Sequence, residues 1–161
     1  MSAGKTQAGF VYVGLLLFTA LTGGALVAFS EIASHTAQRE KEAELLFRGG
    51  QYRQAIAEYH RARQSYPKSL EQLLGDKDST MPVRHLRRLY PDPITGGAFA
   101  LIEAPEGGVM GVHSPSTEAP IKTGNFSKAN QSFTGAVAYA DWKFFHSPPG
   151  LSAPIDKAPA K

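Results

Sequence analysis

A long uncharged segment near the N-terminus constrains this chain more than any other feature. Residues 10–29 form a run of twenty residues without a charged side chain. At about 1.5 Å of rise per residue, a helix of this length matches the roughly 30 Å hydrocarbon core of a bilayer. We therefore predict a transmembrane helix over residues 10–29, with the residues that follow it displayed outside the cytoplasm.

Charge indicates the orientation of this helix. Lys5 precedes the apolar run and resists translocation, which is the positive-inside bias carried by a single residue, although basic residues also follow the run from Arg39 onward. A secretory signal peptide is the alternative, with cleavage after Ala28-Phe29-Ser30, but its apolar region is ordinarily only about 7–15 residues long. That alternative predicts a soluble mature chain that starts near Glu31.

The dipeptide Gly9-Phe10 lies at the start of the apolar run and ends a short leader, residues 1–9. This arrangement resembles the class III signal of type IV pilins and type II secretion pseudopilins. The resemblance implies that a prepilin peptidase cuts between Gly9 and Phe10 and methylates the new N-terminal Phe10. It also implies that the apolar segment stays on the mature protein, first as membrane anchor and later as filament core.

One position departs from the pattern of that family. The fifth mature residue of most pilins is a glutamate whose charge pairs with the N-terminal amine of a neighbouring subunit, and Gly14 occupies that position here. An amine buried in an apolar core is costly unless it is compensated. We therefore expect either a tip or minor position for this subunit, or a filament that compensates the amine differently.

Small residues recur inside the apolar run. Ala20, Gly24 and Ala28 lie at four-residue spacing, which lets helix backbones approach closely inside a membrane. This pattern predicts a helix-packing face. The alternative is that it reflects only the raised frequency of small residues in membrane helices.

Composition and residue spacing exclude several classes of function. The formal net charge is +3 with both signs interspersed, so no basic stripe indicates a nucleic-acid site. The chain has no cysteine, which excludes disulfides and thiol chemistry. The five histidines lack the spacing of a metal-binding helix, and no nucleophile elbow or phosphate loop is present. We therefore predict a protein that is not an enzyme and that holds no metal or cofactor.

The helical pattern continues beyond the apolar run. Residues 30–66 are predicted to extend the helix outside the membrane, and Pro67 marks its end. A break is predicted at Gly49-Gly50, because glycine costs a helix up to about 1 kcal/mol relative to alanine. The apolar positions of the predicted helix include Ala43, Leu46, Phe47, Tyr52, Ala55, Ile56, Tyr59, Ala62 and Tyr66.

Residues 67–146 are predicted to form a globular α+β head. Ser69 is a candidate cap for a short leucine-bearing helix. The order of Tyr66-Pro67, this helix and Asp92-Pro93 is similar to the globular domain of pseudopilins. The resemblance implies that the long N-terminal helix packs on a small antiparallel sheet of three or four strands.

Strand and loop signals fill the C-terminal part of this head. Glycine-bounded apolar segments predict three strands, with a hairpin turn at residues 105–108; the strands cover residues 98–104, 109–113 and 137–145. Residues 114–135 are rich in Ser, Thr, Pro, Asn and Gly and are predicted to form a long surface loop. The proline-rich tail, residues 147–161, is predicted to be disordered.

Major pseudopilins usually bind calcium through the corresponding loop. Here that region offers only Glu118 and the more distant Asp141 as charged oxygen ligands. Because a calcium site needs six to eight oxygens, several of them charged, we predict that the loop is calcium-free.

Arg84, Arg87 and Arg88 form the densest positive patch. They are candidate contacts to an acidic groove on a neighbouring subunit or secretion partner. The alternative is a solvated helix face that contributes little energy.

Taken as a whole, the resemblance implies a mechanical role in a bacterial inner membrane, with the N-terminus cytoplasmic and the C-terminal domain periplasmic. The implied partners are prepilin peptidase, other pseudopilin subunits, an inner-membrane assembly platform and membrane lipid. The alternative function is a membrane-anchored or secreted periplasmic binding domain that never polymerises.

Overall fold

The computed structural model describes residues 6–75 and 83–147; inside helices the side chains of residues 6–10 and 19–33 are not described. The chain divides into two compact units, Met1–Arg39 and Glu40–Lys161. The described residues form one α-helix, a three-stranded antiparallel sheet and three short 3-10 helices. The predicted α+β class is confirmed.

In the first unit, residues 11–18 of helix α1 (Thr6–Arg63) are mostly apolar and exposed. No helical stretch among the residues whose side chains are described is both long and apolar enough to cross a membrane. The rest of the predicted span, including Ala20, Gly24 and Ala28, lies outside those residues. The exposed apolar side chains are Val11, Tyr12, Val13, Leu15, Leu16, Leu17 and Phe18, at 55% to 70% exposure.

Helix α1 runs through Gly49-Gly50 without interruption, so the prediction of a break there is wrong. The reason lies in the second unit, where a Cβ atom on Gly49 would overlap the ring of Phe144. The absence of a side chain lets this buried ring pack directly on the helix backbone. Apolar burial at this contact offsets the conformational cost of the glycine.

The buried stripe of α1 within the second unit repeats at spacings of three and four residues. The predicted core positions Tyr52, Ile56 and Tyr59 are buried, which confirms that part of the apolar face. Earlier in the helix the prediction is wrong, because Phe47 is 59% exposed. The stripe consists of Glu42, Leu45, Gly49, Tyr52, Ala55, Ile56 and Tyr59.

Helix α1 ends at Arg63, three residues before the end predicted at residue 66. Gln64 adopts a left-handed conformation (φ 55°), and its N–H donates to the His60 carbonyl at 2.7 Å. A 3-10 helix follows at Leu70–Leu74, but the Ser69 side chain makes no capping hydrogen bond. The predicted cap at Ser69 is therefore wrong.

The sheet consists of three antiparallel strands: β1 (Ala100–Glu103), β2 (Val109–His113) and β3 (Phe144–Phe145). They lie in the order β1-β2-β3. The hairpin between the first two strands has a register shift at Ile102/Glu103. It lies against the chain that leaves α1, because the Val109 N–H donates to the Pro67 carbonyl at 2.7 Å.

The third predicted strand is wrong over most of its length. Only Phe144–Phe145 pair with β2, and Tyr139–Asp141 form a 3-10 helix. The Asp141 carboxylate accepts the N–H groups of Val137 and Ala138 at 3.1 and 3.0 Å. Because these amides are satisfied by a local side chain, they are withdrawn from a sheet ladder.

Aromatic rings fill the core between α1 and the C-terminal segments. Trp142 is fully buried and stacks on Phe133 at 5.7 Å between ring centroids. Phe126 and Tyr139 meet the indole edge-on at 5.4 and 5.5 Å. Trp142 is the only tryptophan of the chain, so its fluorescence reports on the packing of this cluster.

Asp92 organises the turn that leads toward β1. It is fully buried, and its carboxylate accepts the hydroxyls of Thr95 and Ser114 at 2.7 and 2.8 Å. The Ile94 N–H donates to the same carboxylate at 3.1 Å. These bonds hold the predicted Asp92-Pro93 turn against the start of the long segment after β2.

Candidate functional site

The basic segment that carries Arg84, Arg87 and Arg88 is irregular and not a helix face. Its position is set by the N–H groups of His85 and Leu86, which donate to the Leu73 carbonyl at 3.0 and 2.9 Å. Leu86 is buried at 4% exposure. This anchorage fixes the backbone and leaves the three arginines exposed.

A tyrosine pair anchors the other end of the segment. The Tyr52 hydroxyl donates to the Tyr90 carbonyl at 3.0 Å and accepts the Tyr90 N–H at 2.7 Å. Burial raises the pKa of Tyr52, so the hydroxyl keeps its proton and its donor role at neutral pH. Two guanidinium groups lie over the Tyr90 ring, that of Arg88 at 5.1 Å and that of Arg48 at 5.9 Å from its centroid.

Two of the three predicted arginines meet at one open depression. We call it the arginine groove; it has a volume of about 430 Å³ and is lined by Gln51, Arg84, His85, Leu86, Arg87 and Tyr90. Arg84 is partly fixed, because its Nη2 donates to the Arg87 carbonyl at 2.7 Å. Arg88 instead stacks on Tyr90. Guanidinium groups present paired donors that suit carboxylates, so the groove is equipped to bind an acidic side chain.

Sequence reasoning missed the buried carboxylate of Glu42, which is 3% exposed. Its Oε1 accepts the Ile121 N–H at 2.5 Å and the Tyr139 hydroxyl at 2.9 Å, and its Oε2 accepts the Lys122 N–H at 3.2 Å. The only signal in the sequence is its position on the buried stripe of α1. Glu42 therefore ties the long segment after β2 to the helix.

The groups around Glu42 are hydrogen-bond donors, which do not suit a cation. Among the described residues, no three His, Cys, Asp or Glu side chains converge in a way that could hold a metal ion. Glu118 and Asp141, the charged ligands weighed for calcium, are both exposed. Asp141 is occupied by backbone N–H groups.

Arg53 makes a second tie between α1 and the long segment. Its Nη1 donates to the Ala129 carbonyl at 2.7 Å and to the Asn130 side-chain oxygen at 2.8 Å. Burial lowers the pKa of Arg53, but a guanidinium is effectively always protonated in proteins, so the side chain stays charged. The segment predicted as a surface loop is thus held at two points and includes a 3-10 helix, Lys128–Phe133.

A histidine pair lies beside the hairpin, at the C-terminal end of α1. The rings of His60 and His146 are 5.7 Å apart, and the Tyr66 hydroxyl donates to the His146 carbonyl at 2.9 Å. Burial, followed by the charges of His60 and Arg61, lowers the pKa of His146. Protonation of His146 is therefore less favourable in the folded chain than in the unfolded chain.

Stability should consequently fall as the pH drops below the ordinary histidine pKa of about 6.5. The unfolded chain binds the proton first, so this contribution is complete above that pH and is lost below the depressed pKa of the folded state. Because His146 is only partly buried, the effect should be less than about 1 kcal/mol. Urea midpoints from Trp142 fluorescence between pH 7.5 and 5 test this. His146→Gln should flatten the profile, and an unchanged slope in this variant would contradict the assignment.

The remaining predicted site residues belong to the first unit. Gly9 and Phe10 fall within the backbone range of α1, and their side-chain surroundings lie outside the described residues. A Cβ atom on Gly14 would meet no atom within 4 Å. A larger residue is therefore sterically tolerated at position 14 in the isolated chain.

Comparisons with known proteins found no similarity to this chain: no family model matches it, and neither a curated protein nor a solved structure is significantly similar.

Proposed function

We propose that this chain is a pseudopilin-like structural subunit of a type II secretion or related type IV pilus filament. The observation that supports this most is the contrast along α1. Residues 11–18 expose apolar side chains, whereas the second unit packs the C-terminal part of the same helix against a small antiparallel sheet. An apolar helix end with no core of its own suits burial in lipid or among other subunits.

In this proposal, prepilin peptidase cuts between Gly9 and Phe10, and the mature subunit waits in the inner membrane. An assembly platform then moves it into a filament whose core consists of the apolar helices, with Ala20, Gly24 and Ala28 at close helix contacts. The work is mechanical: the chain supplies packing surfaces, and no reaction centre is invoked.

Gly14 defines the place of the subunit within such a filament. It offers no carboxylate to the N-terminal amine of a neighbour, so the proposal places this chain at a tip or minor position or in a filament that compensates the amine differently. Because position 14 faces open space, Gly14→Glu provides a version with the usual carboxylate and without a steric conflict in the subunit itself.

The processing of the N-terminus tests the proposed function. Mass spectrometry of the protein from the membrane fraction of its native host should find a chain that begins with methylated Phe10. Gly9→Val should block this cleavage, whereas Gly4→Val, the matched change inside the leader, should not. A start near Glu31, or an uncut leader in the unaltered chain, would refute the proposal and favour a secreted or statically anchored binding domain.

A further inference from the structure

We propose that the arginine groove of one subunit binds the acidic hairpin of a second copy of this chain. The acidic hairpin is the β1–β2 hairpin with its exposed side chains Leu101, Glu103 and Glu106. The proposed contact identifies the hairpin of another copy as the binding partner of the groove. It rests on the proposed function only in that assembly brings subunits side by side.

The groove offers both charge and apolar surface. Arg87 is exposed and lines the groove together with Arg84. Directly before Arg84, the side chain of Val83 is 57% exposed. A partner that carries a carboxylate beside an exposed aliphatic side chain would match this surface.

The acidic hairpin presents that combination. Leu101 is 47% exposed on β1, and Glu103 and Glu106 follow it at the end of the hairpin. The described structure pairs neither glutamate with a cation. Among the other described carboxylates, Glu42 and Asp92 are buried acceptors, Glu44 pairs with Arg48, Glu58 lies near His85, and Asp141 binds backbone amides. Glu40, Glu71 and Glu118 are exposed as single carboxylates, whereas the hairpin presents two beside Leu101.

The two surfaces are different parts of the second unit, so a single groove–hairpin contact between two copies is heterologous. A second hollow lies beside the hairpin, and its lining includes Glu106, Gly107 and Gly108. It shares no lining residue with the arginine groove. A heterologous contact leaves one groove and one hairpin free at the ends and repeats from copy to copy. Within a filament it would add an orienting contact between heads to the packing of the apolar helices.

Cysteine cross-linking tests this contact, because the chain has no native cysteine. Full-length Val83→Cys and full-length Leu101→Cys, with different affinity tags, are mixed in detergent micelles and treated with a short bis-maleimide. We expect a mixed cross-linked dimer at least fivefold above the matched pair of Val83→Cys and Val137→Cys. Val137 is 79% exposed and lies outside the hairpin, so it controls for random collision.

Charge reversal then tests whether the cross-link depends on the proposed pairing of arginine with glutamate. Arg87→Glu in the Val83→Cys chain should reduce the yield at least fivefold, and Glu106→Arg in the partner chain should restore it. Lys128→Glu, which changes charge equally on another exposed surface, should leave the yield unchanged. Trp142 fluorescence verifies that each variant is folded.

A cross-link no stronger than the control pair, or one insensitive to charge reversal, would overturn the proposed contact. This result is independent of the proposed function, because cross-linking in micelles needs neither cleavage after Gly9 nor a filament. A chain that is cut at Phe10 but forms no cross-link would keep the filament role and remove the groove contact. A chain that forms the cross-link but is not cut before Phe10 would support the contact and refute the filament role.

Discussion

Replacement of Glu42 by alanine is expected to lower the free energy of unfolding by about 3 kcal/mol, since each buried donor left without a partner costs about 1–3 kcal/mol. The substitution removes the acceptor of the Ile121 and Lys122 N–H groups and of the Tyr139 hydroxyl. Water that enters the space recovers part of this loss. The long segment after β2 should therefore separate from α1 at a lower denaturant concentration.

Urea unfolding followed by Trp142 fluorescence measures this effect, because the indole packs on Tyr139. Glu40→Ala is the matched control, because it makes the same substitution at an exposed position of the same helix. It should change stability by less than about 0.5 kcal/mol. Tyr139→Phe removes one of the donors and should cost about 1 kcal/mol. Equal midpoints for Glu42→Ala and Glu40→Ala would show that Glu42 does not hold the segment.

Alanine at Gly49 is expected to destabilise the chain by about 2 kcal/mol, although alanine favours a helix by up to about 1 kcal/mol over glycine. The new Cβ atom would overlap the Phe144 ring, and overpacking of this kind typically costs about 1–3 kcal/mol or more. Since Phe144 is part of β3, the substitution should also loosen the last strand.

The neighbouring glycine provides a control with the opposite sign. A Cβ atom on Gly50 would meet no atom within 4 Å, so Gly50→Ala should raise stability by about 0.5–1 kcal/mol. The same urea experiment compares the two variants. In the double variant Gly49→Ala with Phe144→Ala the overlap is gone, so the two costs should not add. If Gly49→Ala stabilises as much as Gly50→Ala, the packing of Phe144 on the helix backbone is not what requires glycine.

Local patterns in the sequence were sufficient for several elements. The apolar positions at Tyr52, Ile56 and Tyr59 predict the buried face of α1, because three-to-four spacing places them on one side of a helix. The hairpin of β1 and β2 was equally predictable, since two apolar segments are joined by a turn rich in glycine. These elements are predictable because the residues that determine them lie close together in the sequence.

The candidate site was predictable only in part. The sequence identified Arg84, Arg87 and Arg88 as a charged patch, but it could not predict which of them line the groove and which stacks on an aromatic ring. This difference depends on Tyr90, because Arg88 stacks on its ring whereas Arg87 lines the groove. The position of Tyr90 is in turn set by a hydrogen bond to Tyr52, 38 residues earlier in the chain.

What the sequence determined by itself is therefore the set of elements with a regular apolar period, the absence of cysteine chemistry and the location of the positive patch. Tertiary structure alone decided the roles of Glu42 and Gly49. A carboxylate on a helix is ordinarily solvated and a glycine ordinarily weakens it, so local propensity assigns both to the wrong class. Each is explained only by a distant partner: donors beyond β2 for Glu42, and the Phe144 ring for Gly49.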